Sequence, residues 1–421
     1  MSRSITRKSS IAISVAATSA LVLAGCASPG GSASSSDDEV TLVIANSQWL
    51  DALRGENLWN AVKKFEDSHP GITLEQEAIP SSDIDSKLTT EFGAGEGPDL
   101  VIVQEGLFYT LQDAGFLSPV GDAFDGISDL NATNDGGVID GEAYGLAWQR
   151  AVYALIYNTD LIESAGATVP TTVDELIADG QLVADTGATG YTGRTSITDF
   201  NGWFMDLQNW VYGFGGGWSD GTELTIDTPE NLAAIEAFAQ LYDADLIPAG
   251  EDMPTQRTRF KEATVGYSID NSGGTLNIAT GGTIPSTSVG AAALPFPEPG
   301  AYQQLFVGVS GKSDNADAAQ EFLTWLAGSE GQEALREASG PDTLATDVPL
   351  ADDFVEANPW AETFAELAPN AHSTLIDGYE VETPQIMRVV MEAVERVLAV
   401  DADPAEELAA AQQTIDEQFG K

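Results

Sequence analysis

Apolar runs and helical spacings alternate along the chain after residue 39. Short apolar runs predict strands at positions 40–45 and 100–103, and a further strand is predicted at 72–78. Between them the apolar residues recur at helical spacing, as in Leu58, Val62 and Phe65. This alternation predicts a parallel sheet with crossover helices, and hence an α/β fold. Ligands of such sheets bind beyond the carboxyl ends of the strands.

The first 25 residues have a different pattern, with a basic front, an apolar middle and small residues at the end. The stretch from Ile11 to Leu23 is too short to span a bilayer, which needs about 20 apolar residues. This order of segments predicts a secretory signal peptide at 1–25. The sequence Leu23-Ala24-Gly25-Cys26, which contains the one cysteine of the chain, resembles the lipobox of bacterial lipoproteins.

In lipoproteins the lipobox cysteine is acylated and becomes the mature N-terminus, so the resemblance implies a lipid anchor at Cys26. Each buried CH₂ of an acyl chain contributes about 0.8 kcal/mol, and several chains together hold a protein firmly on a membrane. The stretch at 26–39, rich in serine, then predicts a flexible tether. The alternatives are a plain secreted protein with an incidental cysteine and an uncleaved membrane anchor.

Length and charge narrow the class of protein. A chain of 421 residues exceeds what one hydrophobic core usually holds, so we expect two domains. The formal net charge of −49 repels phosphates and excludes nucleic acid as a partner. Such a charge suits solubility in a salty habitat, while a cationic ligand is the alternative explanation. We expect the protein to be a monomer.

The motifs of enzymes and metal proteins are missing from the sequence. The only histidines are His69 and His372, and His69 precedes a proline that ends a predicted helix, so we expect no metal site and no cofactor. No P-loop, G-x-G-x-x-G fingerprint or G-x-S-x-G elbow occurs. A glycosidase needs two carboxylates about 5 to 9.5 Å apart. Because the chain has 66 acidic residues, pairs of them in the sequence are no evidence for such a catalytic site. We therefore expect no enzyme, with a secreted carbohydrate-active enzyme as an alternative.

Seven segments, taken in order, resemble those of one protein family. They are GPDLVIV (97–103), YGLAWQRAVYALIYNTDLIESAG (144–166), TTVDELIADG (171–180), FKEATVGYSID (260–270), LPFPEPG (294–300), GVSGKSDNADAAQEFLTWLAGSEGQEAL (308–335) and TPQIMRVVMEAVERVLAVDADPAEELAAA (383–411). The family is that of the family 1 extracellular solute-binding proteins of sugar ABC transporters, the group that includes maltodextrin-binding protein. The segment 154–158 with Gly145 before it resembles the family signature, although extra residues separate Gly145 from Tyr157.

The resemblance implies a two-lobed, type II periplasmic-binding-protein-like fold, with three crossings between the lobes and the ligand cleft between them. The crossings are expected at 144–150, 293–299 and 340–349. The expected lobes are an N-terminal lobe of 40–148 and 298–340 and a C-terminal lobe of 149–297 and 341–421. The resemblance further implies delivery of a sugar to the permease subunits of an ABC importer, from an anchored position on the outer face of the cytoplasmic membrane. A polyamine or metal-chelate binding protein of the same fold is the alternative.

Sugars have apolar faces and a rim of hydroxyls, so a sugar site combines aromatic rings with polar side chains. We expect ten side chains to bind the sugar: Trp49, Gln104, Glu105, Trp148, Arg150, Trp203, Trp218, Asp270, Asn271 and Tyr379. Trp203 and Trp218 come from the aromatic-rich segment 203–218, which a run of glycines interrupts.

The other candidates follow predicted strands or match positions of the family. Gln104 and Glu105 follow the third strand, where the family commonly has a carboxylate that binds sugar. Arg150 can instead form a structural salt bridge, and Asn271 can instead cap a helix. Val389 and the valine after it stand where maltodextrin-binding proteins have an aromatic residue, so the resemblance does not imply maltose.

Overall fold

The structure, a computed structural model, describes residues 39–420. The predicted signal peptide at 1–25, the predicted lipid site Cys26 and the tether up to residue 38 lie outside these described residues. Between residues 39 and 420, no helix is long and apolar enough to cross a membrane.

The strands of the described part confirm the sequence prediction for the first three. We number them β1 to β11 in chain order: Val40–Asn46, Ile72–Ala78, Leu100–Gln104, Val138–Ile139, Glu142–Ala143, Gly145–Asn158, Thr189–Thr192, Val265–Asn271, Val289–Ala292, Ala301–Val309 and His372–Ser373. The first three differ from the predicted spans by one residue at most.

The helices of the described part connect these strands. We number the α-helices α1 to α16 in chain order: Arg54–Lys63, Phe65–Ser68, Ile84–Ala94, Glu105–Asp113, Thr159–Ala165, Val173–Ala184, Phe200–Gly213, Pro229–Asp243, Met253–Lys261, Ser272–Gly281, Ala316–Ala327, Ser329–Ser339, Asp352–Ala357, Ala361–Leu367, Thr383–Val400 and Pro404–Phe419. Short 3₁₀ helices lie at Gln48–Leu50, Gly121–Phe124, Ala132–Gly137, Ile197–Asp199, Ser286–Ser288 and Ala368–Asn370. Thr172, Thr228 and Asp403 begin α6, α8 and α16 by accepting a hydrogen bond from a backbone N–H of the first turn.

Nine strands form one mixed sheet, in the order β2-β1-β3-β10-β6-β8-β7, with β11 beside β10 and β9 beside β6. β1 pairs in parallel with both β2 and β3, as the strand–helix alternation predicts. The long strand β6 has two sets of partners. Its first half, as far as Val152, pairs with β10, and its second half, from Tyr153, pairs with β8 and β9. β6 therefore runs continuously from one part of the sheet into the other.

The apolar residues form three clusters. The first takes its members from β1, β3 and the helices around them, and it includes Trp148 at the start of β6. Along the second half of β6 the side chains alternate, because successive residues of a strand point to opposite faces. Tyr153 and Leu155 belong to the second cluster, whereas Ala154 and Ile156 belong to the third. Helices cover both faces there, and this layering confirms the predicted α/β class.

Three residues near the predicted lobe boundaries belong to these apolar clusters. Leu344 and Ala345 pack in the first cluster, and Ala301 packs in the second. The predicted boundaries assign Leu344 and Ala345 to the C-terminal lobe and Ala301 to the N-terminal lobe. The boundaries themselves stay a prediction.

Candidate ligand-binding cleft

A cavity of about 270 Å³ lies where the first cluster faces the second. The carboxyl ends of β1 and β3 contribute Ser47, Gln48 and Gln104 to its wall. The opposite wall includes Gly273 and Gly274, which lie in the first turn of α10. Side chains from both halves of the sheet therefore surround one space, as expected for a ligand site at strand ends.

The wall at α10 is built by the turn from β8 into the helix. Asn271 ends β8, and its side chain caps α10 by accepting a hydrogen bond of 2.7 Å from the backbone N–H of Gly274. Asp270, directly before it, is completely buried and binds the guanidinium of Arg257 at two points, 2.8 Å and 2.7 Å. A side chain at position 274 would clash with Arg257 and with Asp270, so glycine is required for this close approach.

Two further arginines of the cavity wall are also paired. Arg54 of α1 lies 3.2 Å from Asp342 and 3.3 Å from Asp51. Arg194 is buried, and its Nη1 lies 3.0 Å from the carboxylate of Asp206. The positive charges of Arg54, Arg194 and Arg257 are therefore compensated by carboxylates packed behind or beside them.

Burial and charge act in opposite directions on the carboxylates behind the wall. Burial disfavours the ionised form of Asp270, but the neighbouring Arg257 outweighs this effect, and the pKa of Asp270 lies below its ordinary value. For Asp206 burial dominates over the attraction of Arg194, and its pKa rises to about 7. The pKa values of the two carboxyl groups near Arg194 thus shift in opposite directions.

A small side chamber of about 40 Å³ adjoins the cavity and shares Gln104, Asn201 and Gln303 with it. Glu105, the first residue of α4, lines this chamber. Its carboxylate accepts hydrogen bonds from Ser373 Oγ at 2.9 Å and from the Thr374 hydroxyl at 3.3 Å. Burial raises the pKa of Glu105 to about 7, although these hydroxyls and the charge of Arg150 oppose the shift.

The structure brings some of the predicted site residues together. Gln104 and Asn271 line the cavity, Glu105 lines the side chamber, and Asp270 lies behind the wall. Arg150 lines a different cavity of about 800 Å³, and its Nε donates to Gln304 at 2.8 Å.

The predicted aromatic residues do not line the main cavity. They are all buried: Trp49, Trp148, Trp203, Trp218 and Tyr379. Trp49 Nε1 donates to the carbonyl of Ile44 at 3.0 Å, and Trp148 Nε1 donates to Gln48 at 2.8 Å. Trp218 donates to Gln208, and the Tyr379 hydroxyl donates to the carbonyl of Thr222 at 2.9 Å. Their role in sugar binding stays a prediction.

One aromatic residue does line the cavity within the described part of the chain, and the sequence reasoning missed it. Phe200 begins α7, and the guanidinium of Arg388 lies over its ring, 4.4 Å from the centroid. Phe200 precedes Trp203 by three residues, so helical spacing would have extended the aromatic segment back to it. Arg54, Arg257 and Arg388 carry no comparable signal in the sequence.

The described residues contain no group of three or more His, Cys, Asp or Glu side chains that could hold a metal ion. What the cavity presents is a set of amides, hydroxyls and paired charges. These groups suit a ligand that both donates and accepts hydrogen bonds.

Comparison with known proteins identifies a family model that matches the chain. Residues 52–333 match the family model described as bacterial extracellular solute-binding protein. A binding protein of Brucella abortus strain 2308 is 29% identical over 282 residues, which are 62% of this chain and 65% of that relative. An ABC transporter periplasmic-binding protein of Escherichia coli K12 is 23% identical over 292 residues, 63% of this chain and 64% of that relative. The alignments thus span less than two thirds of these relatives' own length.

Solved structures have the same fold. The GacH receptor of Streptomyces glaucescens, determined without ligand and with acarbose, superposes with a TM-score of 0.79 at 20% identity, over 90% of this chain and 98% of that one. Maltose-bound MalE3 of T. maritima superposes with a TM-score of 0.79 at 19% identity, over 90% of this chain and all (100%) of that one. These likenesses confirm the predicted two-lobed, periplasmic-binding-protein-like fold.

Proposed function

Because the chain belongs to the family of bacterial extracellular solute-binding proteins, we propose that it binds a carbohydrate in the cavity and delivers it to the permease of an ABC importer. The lining of the cavity carries the carbohydrate assignment. Amide side chains such as Gln104 and Gln303 each offer a donor and an acceptor in one plane, which is what sugar hydroxyls require. The sugar ligands of GacH and MalE3 support this choice.

Binding is coupled to closure of the two lobes. Gln48 and Gln104 stand on one wall of the cavity, while Asn271 and Arg257 stand on the other. A ligand that bonds to both walls binds the closed arrangement more tightly than an open one, and so shifts the population toward closure. The closed lobes then present one joint surface to the permease.

Anchoring is part of the same proposal. Acylation of Cys26 holds the protein on the outer face of the cytoplasmic membrane, next to the permease. Replacing Cys26 with serine removes the acylated thiol, so the variant is expected in the soluble fraction after cell lysis, whereas the wild-type protein sediments with membranes. Equal sedimentation of both proteins would exclude this anchor.

The ligand is tested by thermal unfolding of the purified full chain with a panel of mono- and oligosaccharides, with spermidine and metal salts as controls. A ligand at 100 times its Kd stabilises the folded state by about 2.7 kcal/mol. Stabilisation by one group of carbohydrates is the expected result. Stabilisation by spermidine alone would replace the proposal with polyamine binding, and a response to no carbohydrate would reject it.

A further inference from the structure

The size of the cavity restricts what the protein can bind. Its volume of about 270 Å³ lies below the range of roughly 300–1,000 Å³ that is usual for pockets that bury drug-sized ligands. Such a space suits one sugar ring or one sugar alcohol. A chain of several sugar units needs a longer groove, and the adjoining side chamber adds only about 40 Å³.

The chemistry of the lining points to hydroxyl groups rather than to an apolar surface. Six amide side chains line the cavity: Gln48, Gln104, Gln149, Asn201, Asn271 and Gln303. Gln149 is 2% exposed, and its Oε1 has no hydrogen-bond partner among the described residues. A neutral polyol supplies hydroxyl donors, which this buried amide oxygen needs, and acceptors for the amide N–H groups of the wall.

The charges of the wall favour a ligand without net charge. Four arginines and three aspartates line the cavity. Arg54, Arg194 and Arg257 each already have a carboxylate partner, and the guanidinium of Arg388 lies over the ring of Phe200. A strongly anionic or cationic ligand would have to compete with these pairs, whereas a neutral ligand can hydrogen-bond to the pairs and leave them intact.

The one aromatic face in the described lining is occupied. Sugar units of an oligosaccharide bind against aromatic faces through their apolar C–H surfaces. The guanidinium of Arg388 covers the ring of Phe200 at 4.4 Å from the centroid, and so takes the position of such a unit. Arg388 is exposed and forms no ion pair within the described part of the chain, so its main contact is this ring.

We infer that the cavity accepts a single neutral polyhydroxylated unit, a monosaccharide or sugar alcohol, and that Arg388 on Phe200 excludes a second unit. This inference rests on the proposed function and names the size and charge of the ligand. Arg388 therefore determines specificity. It blocks the stacking of a second sugar unit on the Phe200 ring, and binding of the first unit does not require it.

Calorimetric titration of the purified full chain tests the inference with matched ligands. The panel pairs each hexose with its uronic acid and with a disaccharide that contains it, and it includes pentitols and hexitols. We expect a neutral monosaccharide or polyol to bind at least roughly tenfold more tightly than the matched disaccharide and the matched acid. Tighter binding of the disaccharide or of the acid would overturn this inference while the proposed function stands. Binding of no carbohydrate or polyol would overturn both.

The role of Arg388 is tested in the same titrations with Arg388→Ala. Exposing the Phe200 ring should improve disaccharide binding relative to the monosaccharide by roughly threefold or more. Arg396→Ala is the matched control, because Arg396 is an exposed arginine on the same helix that pairs with Glu407 and does not line the cavity. An unchanged ratio in Arg388→Ala, or an equal change in Arg396→Ala, would remove Arg388 from the inference.

Discussion

Arg257 and Asp270 form a two-point ion pair directly behind the first turn of α10, with Nε–Oδ2 at 2.8 Å and Nη2–Oδ1 at 2.7 Å. Nη2 of Arg194 lies 3.7 Å from Oδ1 of the same carboxylate. Asp270 is completely buried, so this pair connects the helix start at the cavity wall with the interior of the protein. The position of Arg257 in the wall therefore depends on Asp270.

Replacing Asp270 with asparagine should destabilise the protein strongly. The change leaves the buried Arg194 and the partly buried Arg257 without their shared carboxylate, and breaking a buried pair in this way costs about 3–5 kcal/mol. Urea unfolding measures the loss. Glu407→Gln makes the same chemical change in the surface pair with Arg396 and should cost less than about 1 kcal/mol. Equal losses in both variants would show that burial of the Asp270 pair has no energetic importance.

Replacing Gly274 with alanine should destabilise the fold and weaken ligand binding. The added methyl group would meet Arg257 and Asp270, and displacing these groups costs about 1–3 kcal/mol of stability. Because Arg257 lines the cavity, we expect the displaced wall to bind the ligand roughly tenfold more weakly. Gly93→Ala is the control, because Gly93 lies within α3 and has open space around it. The control should bind normally. Normal binding by Gly274→Ala would show that the wall at α10 does not contact the ligand.

Part of the sheet was predictable from the sequence because β1 and β3 are short, largely apolar runs bounded by polar turns. Burial keeps β3 apolar, whereas β2 contains Glu75, Gln76 and Glu77 and is mostly exposed. Asn271 was also predictable as either a ligand residue or a helix cap. The structure shows the cap and places the same residue in the cavity wall.

The aromatic part of the site was not predictable in the same way. In α7 aromatic side chains point to several sides of the helix, and the spacing of Phe200, Trp203 and Trp210 does not tell which side faces a cavity. That decision depends on long-range packing against elements far away in sequence. The contact between Phe200 and Arg388 joins two helices nearly two hundred residues apart, so no local pattern contains it.

Ionisation of the Glu105 carboxyl group should lower the stability of the folded protein as the pH rises. Its pKa in the folded protein is about 7 against an ordinary value of 4.5, so between these values the folded state holds a proton that the unfolded state has lost. Stability then falls as the pH increases through this window, by about 3 kcal/mol in total for this group. Urea unfolding at pH 5 and pH 8 measures the difference.

Glu105→Gln isolates this contribution, because the amide does not titrate and the rest of the acidic surface is unchanged. The difference in unfolding free energy between pH 5 and pH 8 should shrink by about 3 kcal/mol relative to wild type. Asp206→Asn provides a comparison, since the pKa of Asp206 also rises to about 7 and its loss should have a similar effect. A pH dependence that Glu105→Gln leaves untouched would mean that the Glu105 carboxyl ionises normally in the folded protein.

Substitutions of Trp218 distinguish a role of its ring in packing the core from a role in stacking on the sugar. It is 2% exposed, its ring belongs to the second cluster, and its Nε1 donates to the buried Gln208. Trp218→Ala should therefore cost about 3–5 kcal/mol of stability. Trp218→Phe keeps an aromatic ring but leaves Gln208 Oε1 without its donor, at a cost of about 1–3 kcal/mol, while Gln208 Nε2 still donates to the carbonyl of Thr374.

Neither change at Trp218 should alter the affinity of the folded protein for its sugar by more than about threefold, because the residue does not line the cavity. Urea unfolding gives the stability, and calorimetric titration below the unfolding transition gives the affinity. If the ring of Trp218 stacked on the sugar, the substitutions would change the affinity strongly. A folded Trp218→Ala variant that binds its sugar far more weakly than Trp218→Phe would show that the ring contacts the ligand when the lobes close, as the sequence predicts.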